Sequence, residues 1–148
     1  MSNNRYASSK KDLTLDMVEN ALIKRLKQHV PGMKVVRSEE ENDESILVSY
    51  PDKSFYACYI WLSSKRKATI RHGSGTEHSR WIGHLSAYCL AQEFGGRIGD
   101  DCMSETLDNQ KEFCPTFKSY LEMLFGHAGT LGKKIIKDTL KQYPKNIK

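Results

Sequence analysis

The residues best suited to chemistry lie in one short segment, His72-Gly73-Ser74-Gly75-Thr76-Glu77-His78-Ser79-Arg80. It reads as a strand end, a glycine-rich turn and a helix start. Free N–H groups at a helix N-terminus hold phosphate or carboxylate, and His72, Ser74, Thr76, His78 and Arg80 are the side chains placed to help. The segment lacks the Walker lysine and the third glycine of a dinucleotide fingerprint. It equally describes a tight strand-to-helix connection in which Ser74 or Thr76 caps the helix. His78 and His84 are six residues apart and fall on different helix faces, so they do not share a metal, whereas His72 is close enough in sequence to approach His78.

Asp100, Asp101 and Glu105 form a second cluster, of a kind that binds Mg²⁺ or does acid–base work, or simply faces water. No serine sits in a G-x-S-x-G elbow and no cysteine is paired with histidine in a recognisable signature. The four cysteines, Cys58, Cys89, Cys102 and Cys114, show no C-x-x-C spacing. Cys58 and Cys89 fall in apolar periodic segments, where cysteine behaves as a small hydrophobe. These patterns argue against an enzyme, and they imply neither a metal nor a cofactor.

Two charged features remain. Lys65-Arg66-Lys67, with Arg71 and Arg80 near it, could meet a phosphate backbone, and Tyr56, Tyr59 and Trp61 on the preceding strand could stack on bases. Against this stands an acidic run, Glu39, Glu40, Glu41, Asp43 and Glu44, together with the acidic stretch from 97 to 112. Two acidic loops suit a basic protein partner, and such charge speeds association.

The net charge of +5 does not choose between them. Residues 1 to 11 contribute +3 and residues 133 to 148 contribute +5, which leaves 12 to 132 at −3. The basic character lives in the ends. The leading expectation is therefore a cytoplasmic, non-enzymatic binding protein of the inhibitor or immunity type, docking a basic protein through Glu39 to Glu44 and Asp100 to Glu112. The alternative is a nucleic-acid-binding module using the basic hairpin and the lysine-rich C-terminal helix. A third reading is an anion- or nucleotide-handling enzyme at 72–80. No secretory h-region is visible, and the longest apolar run, Phe55 to Leu62, is far short of the ~20 residues a bilayer span needs, so no membrane partner is expected.

The elements that must position these residues follow from periodicity. With 148 residues, 39% of them hydrophobic, the chain fits one packed domain from 12 to 143, a flexible arm over 1–11 and a short tail over 144–148. Apolar spacing predicts a helix from Leu15 to about His29, capped by Thr14, stapled by Leu13 and Val18, and stopped by Pro31-Gly32. Strands are expected at 33–37, 45–50, 55–62 and 67–71, joined by short turns into a meander. A wide-faced helix from about Glu77 to Phe94 ends at Gly95-Gly96, and 97–99 is a short extra strand. Pro115 suits the first position of a third helix. Glycines 126, 129 and 132 then separate it from a last helix over about 133–143. This order gives an α+β fold, a two-layer arrangement of helices on an antiparallel sheet of four to five strands.

Overall fold

A computed structural model describes residues 4–51, 56–72, 76–100, 106–107 and 114–142. The chain is α+β, with helices packed on one antiparallel sheet. Its elements are β1 (Asn4–Ser9), α1 (Leu15–His29), β2 (Lys34–Arg37), β3 (Ile46–Ser49), β4 (Tyr56–Ser64), β5 (Lys67–His72), α2 (Glu77–Phe94), β6 (Gly95–Asp100), β7 (Thr106–Leu107), α3 (Phe117–Phe125), a 3₁₀ turn (Gly126–Ala128) and α4 (Gly129–Lys141). Among the described residues the sheet has seven strands, in the order β2-β3-β4-β5-β1-β6-β7.

Strands β2 to β5 are the expected meander, each antiparallel to the next. The unexpected element is β1. Residues 4–9, read from composition as a flexible arm, lie in the middle of the sheet, paired with β5 on one side and β6 on the other. The polar sequence hides a period of two: Ala7 and Ser9 are buried, while Asn4, Tyr6 and Ser8 are only partly covered. A strand with neighbours on both sides gains hydrogen bonds along both edges, so it needs few large apolar residues to be held. Its partner β6 is equally short of side chains. A Cβ at Gly99 would lie 2.2 Å from the Tyr6 ring, so glycine there is what lets that ring lie across the strand.

Helix α1 begins where expected: the Thr14 side chain accepts the Met17 N–H at 3.2 Å, and Leu13 and Val18 are both buried. Burial of Val18, Leu22 and Leu26 on one stripe contributes about 1.5–3 kcal/mol per side chain. Helix α2 lies across the sheet centre. An alanine Cβ at Gly83 would come within 3.3 Å of His72 Nδ1 and 3.7 Å of Ile70, so glycine sets how closely this helix seats. Gly95 ends α2 with φ 72°, a left-handed conformation that favours glycine.

Two boundaries near the C-terminal end differ from expectation. Helix α3 starts at Phe117, not Pro115, because Thr116 is its cap and forms a reciprocal capping box with Ser119. Helix α4 starts at Gly129 and runs through Gly132. A Cβ at Gly132 would lie 2.0 Å from the Phe125 carbonyl oxygen, so this glycine permits a close approach of α4 to the end of α3 and does not break the helix. Among the described residues no helix is long and apolar enough to cross a membrane.

Candidate functional site

Of the segment from 72 to 80, residues 72 and 76–80 are described: His72 ends β5, and Thr76 to Arg80 cap and begin α2. Thr76 is the cap of α2, accepting the Ser79 N–H at 3.2 Å. Ser74 lies outside the described residues. Arg80 pairs with Glu77 at 3.2 Å, one turn away on the same helix. His78 is buried: its Nδ1 is 2.7 Å from the Tyr50 hydroxyl, and its ring packs edge-on against Trp81 and Phe117. Burial pushes the His78 pKa down to about 4, so the ring is neutral at physiological pH. His72 ends β5 and is buried. It sits beneath Gly83, further along α2, while His84 packs near Tyr120. His78 thus sits in a buried aromatic joint with Tyr50, Trp81 and Phe117.

The acidic run from Glu39 to Glu44 forms the exposed β2–β3 connection. Asn42 turns it with φ 65°, and the Ser38 hydroxyl donates to the Asp43 carboxylate at 2.8 Å, so Asp43 serves its own turn. Of the second acidic segment, Asp101 and Glu105 lie outside the described residues, and Asp100 is described only as the last residue of β6, opposite Arg5 in register. Among the described residues no group of three or more histidine, cysteine or carboxylate side chains is placed to hold a metal ion.

The basic strip divides between two places. Lys65 and Arg66 form the tight β4–β5 turn, where Arg66 pairs with Asp12 at 3.0 Å. Lys67 belongs instead to the side of the sheet that α2 does not cover, where its ammonium stands 4.4 Å from the Tyr6 ring centroid. Register places Arg71 on the same side: it lies beside Tyr59 on β4 and Asn4 on β1.

This outer face has a regular plan. On β4, Cys58 and Ile60 point inward and are fully buried, whereas Tyr59 and Trp61 alternate outward and are half-buried. A register shift near Val48 brings Tyr56 onto the same side. Tyr59 and Trp61 stack with centroids 5.3 Å apart, and Tyr56 meets Tyr59 edge-on at 5.6 Å. One strand over, β5 carries Lys67, Thr69 and Arg71 outward, with Arg71 registered beside Tyr59 and Thr69 beside Trp61. Adjacent strands are about 4.8 Å apart, so an aromatic ladder runs directly alongside a cationic one. Lys34 on β2 and Arg97 on β6, both exposed, extend the positive charge to either side by the same alternation. No described strand residue on this face is acidic. Sequence reasoning found Tyr56, Tyr59, Trp61, Lys67 and Arg71 but missed Tyr6, Lys34 and Arg97. The missed signal was the alternation in Tyr6-Ala7-Ser8-Ser9 opposite a glycine-rich strand.

The helical layer holds the other basic surface. Helix α4 packs on α3, and Lys133 and Lys137 line, with Lys118, Glu122, Ile136 and Leu140, an open groove of about 330 Å³ between them. Lys133 and Lys137 thus belong to the helical layer, whereas Lys67 and Arg71 stand on the outer face of the sheet. The described cysteines are buried and unlinked. Burial pushes the Cys58 and Cys89 thiols up to about 12, which keeps them protonated and poor nucleophiles. Cys102 lies outside the described residues.

No family model matches the chain, and no curated protein or solved structure matches it either. Function is therefore read from geometry alone.

Proposed function

We propose that the chain is a nucleic-acid-binding module whose contact surface is the outer face of the sheet. The observation that carries this reading is the aromatic ladder of β4 set in register beside the cations of β5, on a face with no described acidic strand residue. Lysine and arginine supply the attraction to phosphate, and tyrosine and tryptophan supply planar surfaces for bases. Neither ladder is needed to close the core, which the inward side chains already fill. The acidic hairpin supports docking of a basic protein less well, because it offers charge without an accompanying apolar anchor and its Asp43 is held by Ser38.

Titration with mixed-sequence RNA and DNA oligonucleotides tests the reading. Binding is expected at 50 mM salt, with log affinity falling against log salt by about 0.7–0.9 for each phosphate neutralised. The double substitution Lys67→Glu and Arg71→Glu is expected to abolish it while leaving the fold intact. No binding of RNA or DNA, single- or double-stranded, at that salt would refute the proposal.

A further inference from the structure

Resting on the nucleic-acid reading, we infer that the ligand is a single strand lying along β4 and β5, with its bases on Tyr59 and Trp61 and its phosphates on Lys67 and Arg71. Three features favour a single strand over a duplex. A duplex hides its base faces in its own stack, so the half-buried rings of β4 would find nothing planar to cover them. The two ladders run parallel along neighbouring strands at the ~4.8 Å strand spacing, which suits a chain whose bases and phosphates form two parallel tracks. The rings are also supported from within the face: Tyr56 props Tyr59, and Tyr59 stacks on Trp61, so the platform is rigid before any ligand arrives.

The charge on the face also decides against a second copy of this chain as its cover. Two such faces brought together would oppose Lys34, Lys67, Arg71 and Arg97 to the same four cations, without described strand carboxylates to offset them. Because stacking reads the π-face that every base shares, the expected binding tolerates most sequences.

Trp61 provides the readout. The chain has two tryptophans, and the other, Trp81, is 2% exposed and donates its indole N–H to the Cys114 carbonyl at 2.9 Å. A ten-nucleotide single strand, a blunt duplex of the same sequence, and heparin, a polyanion without bases, are titrated against the full chain. The single strand is expected to bind at least tenfold tighter than either, with quenching of Trp61 emission. Trp61→Leu and Tyr59→Leu, which keep an apolar side chain on the strand, are each expected to weaken single-strand binding roughly 5- to 150-fold, the range for loss of one stacked base. Heparin binding is expected to be unchanged in both variants. Arg71→Gln is expected to lower the salt slope by about 0.7, the loss of one phosphate contact on a single strand.

Equal affinity for duplex and single strand, with Trp61 emission unmoved, would overturn this inference and leave the nucleic-acid reading standing. Equal affinity for heparin and oligonucleotide would overturn it in favour of a general polyanion surface. A sedimenting dimer that Trp61→Leu dissociates would overturn it by seating a second copy on the face. No binding of any nucleic acid would remove both readings.

Discussion

The two faces of the sheet follow the same period-two alternation and carry opposite chemistry. Inward positions are mostly apolar, such as Ala7, Ala57, Cys58, Ile60, Ala68 and Ile70, all 1% exposed or less, with Arg5 and His72 as the polar exceptions that register places on the same side. They accept the weight of α2, whose Gly83 rests against Ile70 and His72. Outward positions carry aromatic rings and fixed positive charge and are left half-open. The hydrophobic effect accounts for the inner ladder completely, since its atoms leave water on folding. It does not account for arginine beside tyrosine on the opposite side, where a sheet wanting only solubility would mix both signs of charge.

The sharpest way to break that comparison is to place the same charge on neighbouring residues of β1. Ala7→Lys buries an unpaired ammonium between β5 and β6 and is expected to cost more than about 4 kcal/mol, leaving no cooperative transition in circular dichroism. Ser8→Lys, one residue on and facing outward, gives up the bond from the Arg97 N–H to the Ser8 hydroxyl and is expected to cost about 0.5–1.5 kcal/mol, with a cooperative transition retained, and to tighten oligonucleotide binding. If both unfold the protein, the outer face is structural too.

Truncating adjacent residues of β4 is the next test. Ile60→Ala is expected to cost about 2–5 kcal/mol through lost burial and a residual cavity. Tyr59→Ala removes two ring contacts and is expected to cost about 1–2 kcal/mol, both measured by urea unfolding. Equal costs would mean that the aromatic ladder is there for stability.

On the inner side acid acts through His78. His78 has a folded pKa of about 4 against an ordinary value of 6.5, so the unfolded chain binds the extra proton first. The stabilisation from keeping this ring neutral is complete above pH 6.5 and is lost as pH falls from there towards 4. The loss amounts to roughly 3 kcal/mol. Thermal unfolding across that range is expected to show the fall in the parent chain and a much weaker one in His78→Phe. The smallest effect belongs to the turn that joins the ladders: Arg66→Ala removes an exposed ion pair with Asp12 and is expected to change stability by about 0.5 kcal/mol or less in the same melts. A larger loss would show that this turn holds the two ladders in place.

Much of this arrangement could be read beforehand. Helix α1 was legible because an apolar stripe lies between a capping threonine and a Pro-Gly stop, and the span of α2 was legible from its wide apolar run and its Gly95-Gly96 stop, with its cap left between Ser74 and Thr76. The meander was legible because its turns are short and its strands β-branched or aromatic. The position of β1 was not, because a strand paired on both sides draws its support from residues far away in sequence, and its own six residues include only Tyr6 and Ala7 as apolar positions. That omission also hid the site. The aromatic and basic residues of β4 and β5 were visible individually, but which side of the sheet they share depends on register, which only the paired backbone displays. The surroundings of His78 were hidden for a related reason: Tyr50 and Phe117, which meet its ring, are far from it in sequence.

The central place of β1 also bears on how the molecule assembles. Ser8 is bonded to Arg97, 89 residues later in the chain. During synthesis residues 4–9 emerge well before either flanking strand, and at about 5–20 residues per second their outer partner follows seconds later. Until then a strand destined for the middle of the sheet has both edges unsatisfied. Closing contacts of such long range slows folding, so the ordered meander of β2 to β5 is expected to wait, with β5 as a raw edge, for the earliest-made strand to return and seal it.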